Sequence, residues 1–204
     1  MQPSEGSLYA SPVATPWGII CATLDGWLVS LALEQGETLW KRSLGHPIFT
    51  SPLFSPAREL VFVGCVNRTF YAVSAREGRI VWQQATTAPI FSSPVLYDDN
   101  DLLLFGCHDH GLYLLDAATG RLIWRHTMEG EIFASPDFES AGGRIVAVTT
   151  SGAVQILNQS GEILQSFQMS GHVFSSPVFL PGRIIVGSRD NFLYCFVEKL
   201  SHVK

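Results

Sequence analysis

His108, Asp109 and His110 form the cluster in this sequence that most resembles a metal site. Two imidazoles two positions apart on a strand would point to the same side of it. The cluster lies between two apolar segments, however, where Gly111 marks a turn. No further ligand is apparent in the sequence, and a zinc site takes at least three protein ligands. A solvated hairpin turn is therefore the preferred interpretation, and no metal site is predicted.

Serine and cysteine could supply a nucleophile. Five serines stand directly before prolines, namely Ser11, Ser51, Ser93, Ser135 and Ser176. No histidine recurs in step with them, so no Ser–His pair is predicted, and a serine before a proline is interpreted as a structural device at the start of a strand. The sequence therefore predicts no catalytic residue among these serines.

The four cysteines lie far apart, each on or beside an apolar segment, at Cys21, Cys65, Cys107 and Cys195. There is no CxxC spacing and no vicinal pair, so we expect reduced, buried thiols rather than a disulfide framework. Cys65 and Cys107 hold the same place in successive repeats, which makes packing their expected role. No catalytic cysteine is predicted.

Composition narrows the class of protein further. The formal charge is -5, with 13 Lys+Arg against 18 Asp+Glu, and no basic cluster stands out, so nucleic acid is not an expected partner. No apolar run approaches the roughly 18 residues of a membrane span, and no signal sequence is recognisable. We therefore expect a cytoplasmic protein that has no membrane partner. The 13 Phe, 5 Trp and 18 Gly favour short strands joined by glycine turns.

One pattern of about 42 residues recurs along the chain. The Ser-Pro pairs follow one another at steps of 40, 42, 42 and 41 residues, and an aromatic residue precedes each of these serines by two positions. These aromatic residues are Tyr9, Phe49, Phe91, Phe133 and Phe174. Five such phrases in register define the repeat.

A second marker has the same period. A turn glycine is followed four residues later by a tryptophan in three repeats, as Gly36 with Trp40, Gly78 with Trp82, and Gly120 with Trp124. In the fourth repeat Gly161 is followed by Gln165. Phe167, two residues further on, is on the same face of a strand and is expected to fill the gap.

Each repeat divides into four short apolar segments separated by turn residues. The clearest repeat, residues 92–127, predicts strands around 94–97, 102–106, 111–115 and 121–127. Four short strands at this period predict an all-β fold, a β-propeller of about five four-stranded blades. The predicted blades span residues 11–43, 51–84, 93–127, 135–169 and 176–200, within a single partial propeller over 1–204.

The last predicted blade lacks its outer strand. The two ends of the array would then leave exposed edges. We therefore expect the chain either to form part of a larger propeller of seven or eight blades or to close imperfectly with about five.

Residues 112–124 resemble the tryptophan-docking repeat of quinoprotein propellers, D-x-x-T-G-x-x-x-W. The resemblance implies that the outer strand of one blade is locked against its neighbour by the docking residues Trp40, Trp82, Trp124, Asp116, Thr119 and Gly120. It also raises the alternative of a PQQ-dependent dehydrogenase. That chemistry needs a catalytic aspartate and calcium ligands, and in many members a vicinal disulfide. No adjacent cysteines exist, so no cofactor is predicted.

Further phrases resemble the C-terminal propeller of the beta-alanine-activating enzymes, also called acyl-CoA synthetase family member 4. They are ATLDG (22–26), SLGHPIFTSP (43–52), APIFSSP (88–94), HVFSSPV (172–178) and VGSRDNFLYCF (186–196). The resemblance implies a non-catalytic interaction module of an ATP-dependent adenylating enzyme. The implied partners are upstream adenylation and carrier domains or an acceptor protein. A scaffold propeller similar to the outer-membrane assembly lipoprotein would need an N-terminal lipoprotein signal, which is not seen.

Overall fold

A computed structural model describes residues 6–97, 101–139, 143–180 and 182–197. Within these ranges every regular element is a β-strand, and the strands form five antiparallel sheets. The predicted all-β propeller architecture is thereby confirmed. Residues 198–200, which we included in the last blade, and residues 98–100, part of a predicted turn, lie outside the described ranges.

The sheets follow the chain order, one per repeat. Blade one contains β1 (Val13–Thr15), β2 (Gly18–Ala22), β3 (Trp27–Leu31) and β4 (Thr38–Ser43). Blade two contains β5 (Leu53–Ser55), β6 (Leu60–Cys65), β7 (Thr69–Ser74) and β8 (Ile80–Ala85). Blade three contains β9 (Val95–Tyr97), β10 (Leu102–Gly106), β11 (Gly111–Asp116) and β12 (Leu122–Thr127). Blade four contains β13 (Asp137–Glu139), β14 (Arg144–Val148), β15 (Ala153–Leu157) and β16 (Ile163–Gln168). Blade five contains β17 (Val178–Leu180), β18 (Arg183–Gly187) and β19 (Leu193–Val197).

Each blade is a meander in which consecutive strands pair antiparallel. The first strands of neighbouring blades contact each other, β1 with β5 and β13 with β17, as expected of the strands nearest a propeller axis. In the four complete blades the pairing of the third and fourth strands shifts register near the outer end, between Ala72 and Val73 in blade two for example. The outer edge of every complete blade therefore has the same bulge.

Burial distinguishes inner blades from end blades. All six residues of β6 are buried, because blade two is covered on both faces. In β2 and β18, by contrast, buried residues alternate with half-buried or exposed ones, so one face is covered and the other is not. Four apolar clusters form the core, each between two neighbouring blades. The core is thus divided among the blade interfaces.

Near the axis, hydrogen bonds between the Ser-Pro pairs join each blade to the next. The backbone N–H of Ser51 donates to the hydroxyl oxygen of Ser93 at 2.9 Å, and that of Ser93 to Ser135 at 3.1 Å. The same bond runs from Ser11 to Ser51 and from Ser135 to Ser176, at 3.2 and 3.1 Å. This serine belt gives the repeated hydroxyl a structural role as an acceptor between blades.

At the outer edge the tryptophans make the corresponding link. The indole N–H of Trp82 donates to the carbonyl oxygen of Ala117 in the next blade at 3.1 Å, and its ring lies against Gly120. A Cβ on Gly120 would approach that ring to 2.6 Å, and the φ of Gly120 is +74°, so glycine is required there on two grounds. Trp40 donates in the same way to Ala75, and Trp124 to Gln159. Each indole therefore contacts a turn of the following blade.

Asp116 and Thr119 shape one of these turns. One carboxylate oxygen of Asp116 accepts from the backbone N–H groups of Ala118 and Thr119 and from the Thr119 hydroxyl, at 3.1, 2.8 and 2.8 Å. These bonds close the turn that presents Gly120 to Trp82. Asp116 thus acts on the tryptophan contact through the turn.

Between blades four and five, Phe167 replaces the tryptophan contact. Its ring stacks on Phe196 of blade five with centroids 4.5 Å apart. Gln165, in the place of the tryptophan, lines a small cavity of about 20 Å³ between these blades. Phe167 therefore packs across the gap without filling the whole space of an indole.

We expect Trp82→Phe to lower the free energy of unfolding by about 1–2 kcal/mol, because the bond to Ala117 is lost while part of the ring packing remains. Urea unfolding at neutral pH measures the change. Val81→Ala, which trims an exposed side chain of the same strand, is the control. Equal losses in the two variants would contradict the role given to the indole.

Candidate functional site

The upper face of the propeller carries the connections between blades and the turn between the second and third strands of each blade. These segments bind each other: the backbone N–H of Val66 donates to the carbonyl of Pro47, and that of His108 to Pro89. In the same way, the backbone N–H of Thr150 donates to the carbonyl of Glu131, and that of Arg189 donates to the carbonyl of His172. Because this face also brings together most of the histidines, it is the candidate site.

The aromatic residues of the repeat form a ladder along the inner edge of this face. Successive rings from Tyr9 through Phe49, Phe91 and Phe133 to Phe174 have centroids 5.3–5.4 Å apart. Two of these contacts are edge-to-face, one is tilted and one is stacked, and such ring pairs add stability beyond the buried area. Tyr9 and Phe174, at the two ends, are 64% and 38% exposed. The ladder is thus a continuous inter-blade contact with open ends.

His108 is inserted into this ladder. Its ring centroid lies 4.5 Å from that of Phe91 and 6.0 Å from that of Phe133. Burial lowers the pKa of His108, and this outweighs Glu131, whose carboxylate lies 3.8 Å from Nδ1 and acts to raise it. His108 is therefore neutral at physiological pH, and its contact with Glu131 is not an ion pair.

Asp109 points the other way, into a hydrogen-bonded clasp. Its carboxylate accepts from the Tyr113 hydroxyl at 2.6 Å, from the Thr87 backbone and hydroxyl, and from the Gly111 backbone. Arg125 donates to the Tyr113 oxygen at 3.0 Å and lies 3.4 Å from the carboxylate. Burial alone would raise the pKa of Asp109, but the hydrogen bonds lower it to about 2. Asp109 is therefore ionised at neutral pH, and its side chain is held in one position by these hydrogen bonds.

This arrangement corrects the interpretation of residues 108–110 as a solvated turn. The side chain of Asp109 is 5% exposed and that of His108 is 20% exposed, and only His110 lies open to solvent. A pattern that we missed explains it: an Asp or Asn precedes a Tyr by four residues in three blades. Asn67 donates to Tyr71 at 2.8 Å, and Tyr194 donates to Asp190 at 2.6 Å. The recurrent spacing could have identified this Asx–Tyr clasp as structural.

The two cysteines at equivalent positions also make structural contacts. The thiol of Cys65 donates to the carbonyl of His46 at 3.3 Å, and that of Cys107 to Ala88 at 3.3 Å. Burial raises the pKa of Cys65, and raises that of Cys107 to about 11. All four cysteines are free thiols. Cys65 and Cys107 thus pack between blades as neutral groups.

Most of the polar groups described on the upper face hold blades together, whereas Nε2 of His108 and Oδ1 of Asn67 are buried without a hydrogen-bond partner. Within the described ranges no three His, Cys, Asp or Glu side chains are placed to share a metal ion. Those ranges also contain no helix that could span a bilayer. The predicted docking residues lie elsewhere, on the lower and outer edge, where Trp82, Gly120 and Asp116 come together.

We expect Asp109 to make stability depend on pH in the acid range. Its folded pKa of about 2 lies below the ordinary 3.8, so the stabilisation is complete above about pH 4 and is lost as pH falls towards 2. The loss should be about 2 kcal/mol relative to Asp109→Asn, whose side chain does not titrate. Urea unfolding across this range measures it. The control is Asp25→Asn in the corresponding turn of blade one, and parallel curves for wild type and Asp109→Asn would contradict the prediction.

The thiols should differ in reactivity. At pH 8 a group with a pKa of about 11 is ionised to about one part in a thousand, so Cys107 should resist iodoacetamide in the folded protein. Cys195, which is exposed on β19, should react first. Peptide mass spectrometry after timed alkylation gives the order, and alkylation in urea gives the fully reactive reference. Labelling of Cys107 as fast as Cys195 in the native protein would refute the assignment.

Comparison of the sequence with known proteins places the chain in a family. The sequence profile described as "Beta-alanine-activating enzyme, beta-propeller" matches residues 1–197. The human beta-alanine-activating enzyme is 46% identical over 52 residues, which are 25% of this chain and 5% of that protein. The Drosophila melanogaster enzyme of the same name is 49% identical over 49 residues, 22% of this chain and 5% of that protein. The matched stretches thus span about one-twentieth of these relatives.

Solved structures support the fold. The computationally designed Ika8 protein superposes with a TM-score of 0.79 at 14% identity, covering 91% of this chain and 57% of the designed one. BamB from Moraxella catarrhalis gives a TM-score of 0.62 at 17% identity, covering 95% of this chain and 73% of BamB. At these identities the similarity concerns the fold alone.

Proposed function

Because the chain belongs to the beta-propeller family of the beta-alanine-activating enzyme, we propose that it is a non-catalytic interaction module. In this proposal it forms the C-terminal part of a cytoplasmic, ATP-dependent adenylating enzyme that also has a carrier domain. The observation that carries the proposal is the engagement of the polar side chains on the upper face. Asp109 is bound by Tyr113, and His108 is neutral between two rings. Asp109 is thus held in the clasp, and His108 is largely buried, with its side chain 20% exposed.

The same face offers a surface for a protein partner. Phe174 and Phe192 are 38% and 67% exposed, and the guanidinium of Arg189 lies 4.2 Å above the Phe174 ring. Exposed aromatic and arginine side chains are the types enriched in binding hot spots. We propose that adenylation or carrier domains, or an acceptor protein, bind here, and that nucleic acid and membranes do not.

The quinoprotein alternative gains no support from these contacts. It came from residues 112–124, and Asp116, Thr119 and Gly120 there form the turn that receives Trp82. The resemblance in sequence is accounted for by blade packing. A second function is therefore not proposed.

Binding to the adenylation and carrier part of the human enzyme, measured by isothermal titration calorimetry, tests the proposal. We expect Phe174→Ala to weaken binding at least about tenfold, since an exposed aromatic anchor is lost. Leu122→Ala removes a comparably exposed side chain on an outer strand and should leave affinity unchanged. Equal affinities of the two variants, or no binding by the wild type, would count against this surface.

The non-catalytic part of the proposal is tested by the chain alone. No ATP–pyrophosphate exchange dependent on beta-alanine should occur, because Asp109 is bound within the clasp and no three His, Cys, Asp or Glu side chains of the described residues are placed to share a metal ion. Exchange above the blank would overturn this assignment whatever the binding experiment gives.

A further inference from the structure

The junction between blades three and four departs from the repeat at two positions that lie side by side. Nδ1 of His108 and the carboxylate of Glu131 are 3.8 Å apart. At the junction of blades two and three, the same two positions are held by Val66 and Pro89. The backbone bonds between turn and connection are nevertheless kept, since the N–H of His108 donates to Pro89 and that of Thr150 donates to Glu131. Packing between blades therefore requires neither an imidazole nor a carboxylate here.

The carboxylate of Glu131 faces a neutral ring. Its side chain is 52% exposed, and the nearest nitrogen of His108 is beyond hydrogen-bond distance. Burial lowers the pKa of His108, so the imidazole has no charge to offer at physiological pH. Glu131 is thus a carboxylate on the upper face that a cation from outside the chain can reach.

The aromatic ladder beside this carboxylate can bind a planar cation. Phe133, two residues after Glu131, is half-buried. In the next repeat the guanidinium of Arg189 lies 4.2 Å above the ring of Phe174, which is the counterpart of Phe133. Thr150 holds the position of Arg189 in blade four, and its side chain is too short to cover the ring of Phe133 in the same way. The chain's own residue at this position therefore leaves the place of a guanidinium open.

We propose that this junction binds an arginine side chain of a protein partner, with the guanidinium against Phe133 and hydrogen-bonded to Glu131. This assignment specifies what a partner on the upper face supplies, and so it rests on the proposed function. A guanidinium can donate two N–H groups to one carboxylate while it stacks on an aromatic ring, whereas an ammonium group is a compact point charge. Blades three and four each pack against a blade on both sides, so the site is complete within the described chain.

Titration of the full chain with acetyl-Gly-Arg-Gly-amide, followed by ¹H–¹⁵N NMR at constant ionic strength, tests the site without a partner protein. We expect the amide signals of Glu131, Phe133 and Thr150 to shift with a Kd on the order of tens of millimolar, since one exposed ion pair and one ring contact bind weakly. The corresponding lysine peptide should bind at least about threefold more weakly. Glu131→Gln should abolish the shifts, whereas Glu129→Gln, at an exposed position of the same connection, should leave them. No saturable shift with the wild type overturns the proposal, as does equal binding of the lysine peptide or an equal loss in the two variants.

A second variant fills the site from within the chain. Thr150→Arg, at a half-buried position, should place a guanidinium over Phe133 as Arg189 lies over Phe174, and should weaken binding of the arginine peptide at least about tenfold. Thr150→Val, which matches threonine in size, should keep the affinity of the wild type. The dispersion of the ¹H–¹⁵N spectrum shows that each variant is folded. Unchanged binding by folded Thr150→Arg would contradict the proposed place of the guanidinium.

Calorimetry with the adenylation and carrier part of the human enzyme separates the arginine site from the proposed function. Glu131→Gln should weaken that complex about tenfold, and Glu129→Gln should not. A wild type that binds the arginine peptide but not this protein counts against the proposed partner and supports the site. A complex that Glu131→Gln leaves unchanged overturns the arginine site and leaves the interaction module standing.

Discussion

A blade of this protein can cover both faces of its sheet only by packing between two other blades. A single four-stranded meander of short strands has too little apolar surface to fold alone, so the apolar clusters lie between blades and not within them. This constraint explains the near-continuous apolar sequence of strands such as β6. It also explains why repeated residues recur in register, since each repeat must present the same two faces to its neighbours.

Two sets of hydrogen bonds keep neighbouring blades in register at opposite ends of the interface. The serine belt joins backbone to hydroxyl near the axis, and the indoles join side chain to backbone at the outer edge. Both satisfy polar groups that packing would otherwise leave unpaired, and such groups are costly when buried. Apolar burial drives the blades together, while these directional bonds fix their relative position. The markers that define the repeat are thus the residues that join repeats.

The period of the sequence was enough to predict the fold. The Ser-Pro pair recurs in all five repeats, and Gly-x-x-x-Trp recurs in three of the four complete blades. The acceptors of the indoles could not be predicted, since Ala75 and Ala117 contribute backbone carbonyls that any residue would supply. The contacts of His108 with two rings arise between repeats, which a pattern within one repeat does not contain. The Asx–Tyr clasp, by contrast, has a spacing that is visible in three repeats of the sequence, four residues from Asn67, Asp109 and Asp190 to a tyrosine.

The chain becomes less tightly held towards blade five. The interface before it has Phe167 and a small cavity in place of an indole, and the blade itself has three described strands whose outer residues are exposed. In repeat proteins local stability is the sum of each unit and its interfaces, so an end unit with one weaker interface opens more readily than the units between. Blades two and three, with two complete interfaces each, form the stable centre. The exposed apolar face of blade five therefore lies on the part of the protein that can adjust most easily to whatever packs against it.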